Sequence, residues 1–175
     1  MPDPIEFHAV DALGAGAIGE PGARTFFIQA RTESARLTVL VEKEQVALLA
    51  VEAVAFLDRI AEEYPEDPIT LPPQVAELQE PAIPLFRARL IGLGFDPERE
   101  LVLIELREHA ADDEDGPGVE DEGATEGYVA RIYATRPQVR AMAAHGASVV
   151  AAGRPRCDLC LGPIDPSGNR CPRWN

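Results

Sequence analysis

The chain has 175 residues, of which 46% are hydrophobic, and its formal net charge is −14. This length allows one cored domain with a small appendage and excludes two full-sized domains. The negative charge repels phosphate backbones and anionic membranes at long range, which disfavours general nucleic-acid binding.

The first part of the chain is predicted to form three strands and a helix. Three segments have the β-branched and aromatic content of strands: 5–12, 24–31 and 37–41. From Glu42 onward the apolar residues recur at spacings of three and four, which predicts an amphipathic helix that ends near Tyr64. Residues 65–84 contain six prolines, which lack the N–H donor of a helix or strand, so they are predicted to form a crossing loop.

The second part of the chain repeats this order of elements. Three further segments are predicted as strands: 85–95, 100–106 and 128–134. A helix follows, because Thr135 and Gln138 have the spacing of a capping box and apolar residues recur from Val139 to Val150. Residues 111–126 separate the last two strands and contain eight acidic residues and no basic one, which is typical of a solvated loop.

The two parts also share a short phrase at the start of each helix, Gln45-Val46 and Gln138-Val139. The phrase and the order of elements indicate an internal duplication. Each helix has one apolar stripe, which needs a sheet face to cover it. The sequence therefore predicts an α+β fold of duplicated strand-strand-strand-helix units, with antiparallel sheets packed on two helices. This domain is predicted to span residues 1–153, with halves at about 1–64 and 85–153, and a cysteine-containing tail follows at 154–175.

Residues 14–19, GAGAIG, match the glycine spacing of a dinucleotide-binding loop. Such a loop works because its glycines turn a strand into a helix whose N-terminus meets the pyrophosphate. Here Glu20-Pro21-Gly22 follows, and then a predicted strand. We therefore predict a glycine-rich hairpin connection at this place and no nucleotide site.

Four arginines are candidates for an anion-binding or nucleic-acid-binding surface. Arg87 and Arg89 alternate along a predicted strand, and Arg154 and Arg156 make the start of the tail locally basic. Basic side chains at alternate strand positions suit an anion or RNA surface, but they more often pair with neighbouring carboxylates. The surplus of acids in this chain favours such pairing.

All three cysteines lie in the tail. Cys157 and Cys160 form a C-x-x-C pair, and Cys171 follows after ten residues. A C-x-x-C turn points two thiolates at one tetrahedral centre and a second turn supplies further ligands, so the spacing predicts a zinc site. The alternative is a degenerate knuckle without metal. The odd number of cysteines and the lack of a secretory leader before Ile5 predict a reduced, cytoplasmic protein.

Four segments of the chain resemble an actinobacterial family of uncharacterised proteins, the domain of unknown function 3090. They are the tail and the stretches GAGAIGEPGARTFFIQAR at 14–31, EKEQVALLA at 42–50 and YVARIYATRPQVRAMAAHGASVVAAGRPRC at 128–157. Tails in this family typically read C-x-x-C-x-x-P-x-x-P-x-G-H-x-C-P-R, which implies a zinc site of three cysteines and one histidine. The cysteines correspond to Cys157, Cys160 and Cys171, and the histidine position holds Asn169.

The sequence therefore does not determine which group is the fourth zinc ligand. An amide oxygen is a poor zinc ligand beside thiolates or imidazole. The sequence leaves four candidates for this position: Asn169, His145, Asp158 and a water molecule.

No serine or cysteine has a plausible general base in its sequence context, so no catalytic centre is predicted.

We expect a cytoplasmic binding or adaptor protein whose tail docks on a protein partner, without membrane association and with no small-molecule ligand specified. One alternative is a protein that binds single-stranded RNA or DNA, because twin sheet-and-helix units resemble Whirly-like and Pur-like folds. A second is an enzyme with a site between the halves, in the phosphate-related pathway that the family's gene neighbours imply.

Overall fold

A computed structural model describes residues 3–68, 74–109, 127–153 and 156–164, together with Cys171 and Arg173. The acidic segment 111–126 lies outside the described residues, as do Arg154 and Asn169. The described elements are, in chain order, β1 (Ile5–Phe7), β2 (Ala12–Ile18), β3 (Thr25–Arg31), β4 (Arg36–Val41), α1 (Lys43–Glu63), β5 (Phe86–Arg87), β6 (Leu90–Asp96), β7 (Leu101–Arg107), β8 (Val129–Ala134) and α2 (Arg136–Ala151). Neither of these two helices is long and apolar enough to cross a bilayer.

The strands form two four-stranded sheets with the same topology. Sheet A has the strand order β1-β8-β7-β6, and sheet B has the order β2-β3-β4-β5. Each sheet is an antiparallel meander of three consecutive strands with one short parallel strand at its edge. That edge strand comes from the other half of the chain, because β1 pairs with β8 and β5 pairs with β4. The predicted α+β fold with two helices is confirmed, but the sheets are mixed and not wholly antiparallel as predicted.

The helices pack on each other and on the first meander strands of the sheets. Helix α2 lies on β2, and α1 contacts β6. The three elements approach closely at Gly146 of α2, where an added Cβ would lie 3.1 Å from Val46 on α1 and 3.7 Å from Ala15 on β2. Most residues of the apolar stripes predicted for the helices lie in the shared core, with Leu57 and Val139 fully enclosed, but Ala147 of the predicted α2 stripe is exposed.

Two strand predictions differ from the structure. The predicted strand at 5–12 is broken between β1 and β2, where Ala9 has a positive φ of 51°. The predicted strand at 85–95 is likewise broken between β5 and β6. Both breaks occur where the chain leaves the edge of one sheet and enters the other. Each predicted strand is therefore divided between two sheets.

The glycine-rich segment 14–19 is also not the hairpin connection that we predicted. Its residues up to Ile18 belong to β2. Residues 74–79 cross the face of sheet B at this strand, and the Ala76 carbonyl occupies the space where a Cβ of Gly14 would stand. The buried Gln29 side chain holds the crossing segment, because it donates to the Gln79 carbonyl at 3.1 Å and accepts from the Gln79 N–H at 2.9 Å. Glycine is therefore needed here for close approach of another backbone, and not for a turn.

Candidate metal centre

The structure brings the three cysteines together. The Sγ atoms of Cys157, Cys160 and Cys171 all lie within 4.8 Å of one another. Thiolates on a tetrahedral zinc ion at about 2.3 Å are separated by about 3.8 Å, so a small contraction of this cluster produces a zinc-binding geometry. The donor set fits zinc, because soft thiolates select this ion over magnesium or calcium.

The C-x-x-C pair lies in a tight turn, which we call the knuckle and define as residues 156–164 with Cys171. The Cys157 N–H donates to the Gly162 carbonyl at 2.8 Å, and the Leu161 N–H donates to the Cys157 carbonyl at 2.8 Å. A bridge between Arg156 and Pro163 closes the base of the turn. Leu161 takes a positive φ of 57°, which reverses the chain directly after Cys160. These contacts hold the first two thiols together without any help from the third.

The thiols differ in their readiness to lose a proton. The pKa of Cys157 is lowered, because the backbone N–H groups of Cys160 and Leu159 point at its sulfur and the neighbouring thiols also donate to it. At Cys171 the backbone N–H of Arg173 acts to lower the pKa, but burial and the two other cysteines outweigh it and the pKa is raised. The thiolate therefore forms more readily at Cys157 than at Cys171, and metal binding at Cys171 releases a proton.

The fourth ligand is not supplied by the described residues. No histidine, aspartate or glutamate among them joins the cysteine cluster. His145 points elsewhere, since its Nε2 lies 3.8 Å from the Cβ position of Gly16 on β2. Asp158 lies in the turn itself but is not part of the cluster, and Asn169 lies outside the described residues.

The candidate arginines do not form one continuous surface. Arg87 forms an ion pair with Glu42. Such pairing is what the surplus of acidic residues in the chain predicts. Arg87 and Arg156 line one cleft of about 1050 Å³ between sheet B and the knuckle, whereas Arg89 does not line it. The cleft also contains Lys43, which the sequence did not single out because a lysine in the first turn of a helix looks like an ordinary surface residue.

Comparisons with known proteins give one result. No curated protein and no solved structure shows significant similarity to this chain. One family model matches residues 5–171, a range that begins at β1 and ends at the third cysteine of the cluster. The chain therefore belongs to the family described as "Protein of unknown function (DUF3090)".

Proposed function

We propose that this protein is a non-catalytic binding protein whose knuckle, held by a zinc ion on Cys157, Cys160 and Cys171, docks on a protein partner. The observation that carries this proposal is the exposure of two leucines on either side of Cys160. Leu159 is 80% exposed and Leu161 is 70% exposed. A short metal knuckle that presents two large apolar side chains is suited to contact an apolar pocket on another protein.

Leu161 is unfavourable for the stability of the isolated chain in two respects. Its backbone has a φ of 57°, a conformation that strains a residue with a Cβ by about 1 kcal/mol and that glycine or asparagine adopts more easily. Its side chain also gains little from folding, because most of it stays in water. A strained backbone that carries an exposed apolar side chain supports a contact outside the chain.

The zinc ion would give the knuckle its rigidity. A segment of this size cannot bury a core of its own, so metal binding supplies the free energy that orders it. An ordered knuckle loses less conformational entropy on docking than a flexible one, which strengthens binding. The proposal therefore predicts that docking depends on metal as well as on the two leucines.

The experiment compares partners of zinc-loaded protein by quantitative affinity purification with cross-linking. The test variants are Leu159→Ser and the double change of Leu159 and Leu161 to serine. The matched control is Leu48→Ser, because Leu48 is 62% exposed on α1 and does not line the cleft beside the knuckle. We expect a partner that is retained by the parent and the control and lost by both knuckle variants, with zinc content equal in all four proteins. Retention of the same partners by the double variant contradicts the proposal.

A further inference from the structure

The cleft beside the knuckle has the composition of a binding site. It measures about 1050 Å³ and is formed by β3, β4, the start of α1, the end of α2 and the knuckle. Its apolar lining includes Val150 of α2 and Leu161 of the knuckle. Four basic side chains also line it: Arg24, Lys43, Arg87 and Arg156. The cleft is open to solvent and its lining is more polar than apolar, which suits a small charged ligand better than a wholly apolar one.

Two of these cations converge on one point. The NH2 atom of Arg24 and the Nζ atom of Lys43 each lie 3.4 Å from the position where Gly153 would carry a Cβ. Gly153 leaves this point free of a side chain. Two positive groups that flank the same open position form a suitable binding position for an anion.

The Arg24 guanidinium is fixed before any ligand arrives. It donates to the Val149 carbonyl at 2.7 Å and lies 5.1 Å from the centroid of the Phe26 ring. A planar guanidinium that is already oriented loses little rotamer entropy when it binds an oxyanion. It has five N–H donors, so the bond to Val149 leaves others for a ligand.

The charges in the cleft do not cancel among the described residues. Glu42 pairs with Arg87, and Glu44 also lines the cleft. No described carboxylate forms an ion pair with Arg24, Lys43 or Arg156. In a chain with thirty acidic residues and sixteen basic ones, three cations that face one cleft without such a partner indicate an anionic ligand.

We propose that this cleft binds a small molecule with a phosphate group, which contacts Arg24, Lys43 and Arg156, and an apolar body, which lies against Val150 and Leu161. A phosphate monoester carries nearly two charges and three terminal oxygens, so it satisfies several cations at once, whereas a carboxylate carries one charge. The volume exceeds that of a phosphate ion alone, which is why the ligand has a further body. The cleft adjoins the proposed partner contact, because Leu161 belongs to both, whereas Leu159 does not line the cleft.

The test titrates the intact, zinc-loaded protein with phenyl phosphate in an isothermal calorimeter. The comparison ligand is benzoate, which keeps the ring but carries a single carboxylate. We expect saturable binding of phenyl phosphate with a Kd of about 1 mM or lower, and at least about tenfold weaker binding of benzoate. Inorganic phosphate at equal ionic strength measures the share of the affinity that comes from the phosphate alone.

Three variants identify the site. Lys43→Met and Arg156→Met remove one cation each while they keep an unbranched apolar stem, and Gly153→Ala places a methyl group at the point where Arg24 and Lys43 converge. The methyl group makes only ordinary contacts at 3.4 Å, so the fold tolerates it. Each change should weaken phenyl phosphate at least about fivefold, because each removes or blocks a charged contact. The control Arg89→Met should bind like the parent, since Arg89 does not line the cleft.

Two results overturn the proposal. One is the absence of saturable phenyl phosphate binding by the parent protein. The other is equal binding by the parent and the Lys43→Met and Gly153→Ala variants, because the ligand would then bind at another place, such as the metal. The titration does not involve the protein partner, so this proposal and the proposed docking function can fail independently.

Discussion

Gln45 and Gln138 make the same pair of contacts in the two halves of the molecule. Each Oε1 accepts the N–H of the residue that caps its own helix, at 2.7 Å and 2.8 Å. The Nε2 of Gln45 donates to the Ala88 carbonyl at 3.1 Å, and that of Gln138 donates to the Val10 carbonyl at 2.8 Å. Both carbonyls lie where the chain passes from a short edge strand into a meander. The glutamine shared by the two helix starts therefore fixes a helix end to the break between two sheets.

Changing either glutamine to alanine should lower the free energy of unfolding by about 1–2 kcal/mol. The change removes a helix cap and leaves a partly buried carbonyl without its donor. Urea denaturation of Gln45→Ala and Gln138→Ala measures the effect. The control is Glu52→Ala, because Glu52 is exposed on α1 and forms none of the side-chain bonds described here. A loss below about 0.3 kcal/mol in both glutamine variants would mean that the paired contacts are incidental.

Gly14 and Gly92 hold the third position of β2 and of β6 but should respond differently to alanine. A Cβ at Gly14 collides with the Ala76 carbonyl, so Gly14→Ala must displace the segment that crosses sheet B. A Cβ at Gly92 meets only the Glu105 Cβ at 4.0 Å. We expect Gly14→Ala to cost about 2 kcal/mol of stability and Gly92→Ala to be neutral or slightly stabilising, since alanine is the better strand residue where space allows. Thermal unfolding of the two variants decides this, and equal losses would show that the crossing segment is easily moved.

Glu105 should make the stability of the protein dependent on acid. Burial alone would raise the pKa of Glu105, but hydrogen bonds from Arg131 at 2.9 Å and from Arg107 at 2.7 Å lower it overall from its ordinary value of 4.5. A carboxylate with a lowered pKa stabilises the folded state above the unfolded pKa, and this contribution disappears as the pH falls through the folded value. Glu105→Gln should therefore cost about 1 kcal/mol at pH 7 and much less near pH 2–3. Urea denaturation at both pH values measures the difference, and a cost that does not change with pH would contradict the prediction.

The zinc content should depend on the cysteines and on position 169. Three thiolates supply most of the affinity, so the purified parent should contain about one zinc ion per chain but lose it to a chelator more easily than a site with four protein ligands. Asn169→His should slow that loss, because imidazole is a far better ligand than an amide. Cys157→Ser should abolish zinc binding. Elemental analysis before and after chelator gives the answer, and a parent without zinc beside a loaded histidine variant would mean that this knuckle has lost its metal.

The sequence predicted the parts of the fold that depend on local patterns. Both helices follow from the spacing of their apolar residues, and β7 and β8 follow from alternation between core and surface. The breaks near Ala9 and Arg89 could not be predicted, because each depends on pairing with a strand more than forty residues away. The glycines of β2 were misread for the same reason, since the carbonyl of Ala76 that requires Gly14 comes from a distant segment.

The candidate sites also differ in whether they depend on local sequence or on distant residues. The cysteine cluster could be predicted because C-x-x-C places two ligands within one turn, and the third cysteine is close in the chain. The cleft could not, since Arg24, Lys43 and Gly153 are brought together only by the packing of three separate elements. His145 was a plausible ligand by residue type alone, but the direction of its side chain is set by the way α2 lies on β2.

The exchange of β1 and β5 between the sheets bears on how such a chain arises. Each half lacks the edge strand that its own meander needs and supplies the one that the other needs. A half-length ancestor with this topology would complete its sheet only with a strand from a second copy, as in domain-swapped dimers. Fusion of the two copies into one gene would turn an association that depends on concentration into a permanent one, and it would free each half to diverge. The cleft, which lies between sheet B, the helix ends and the knuckle, is the kind of asymmetric feature that such a fusion permits.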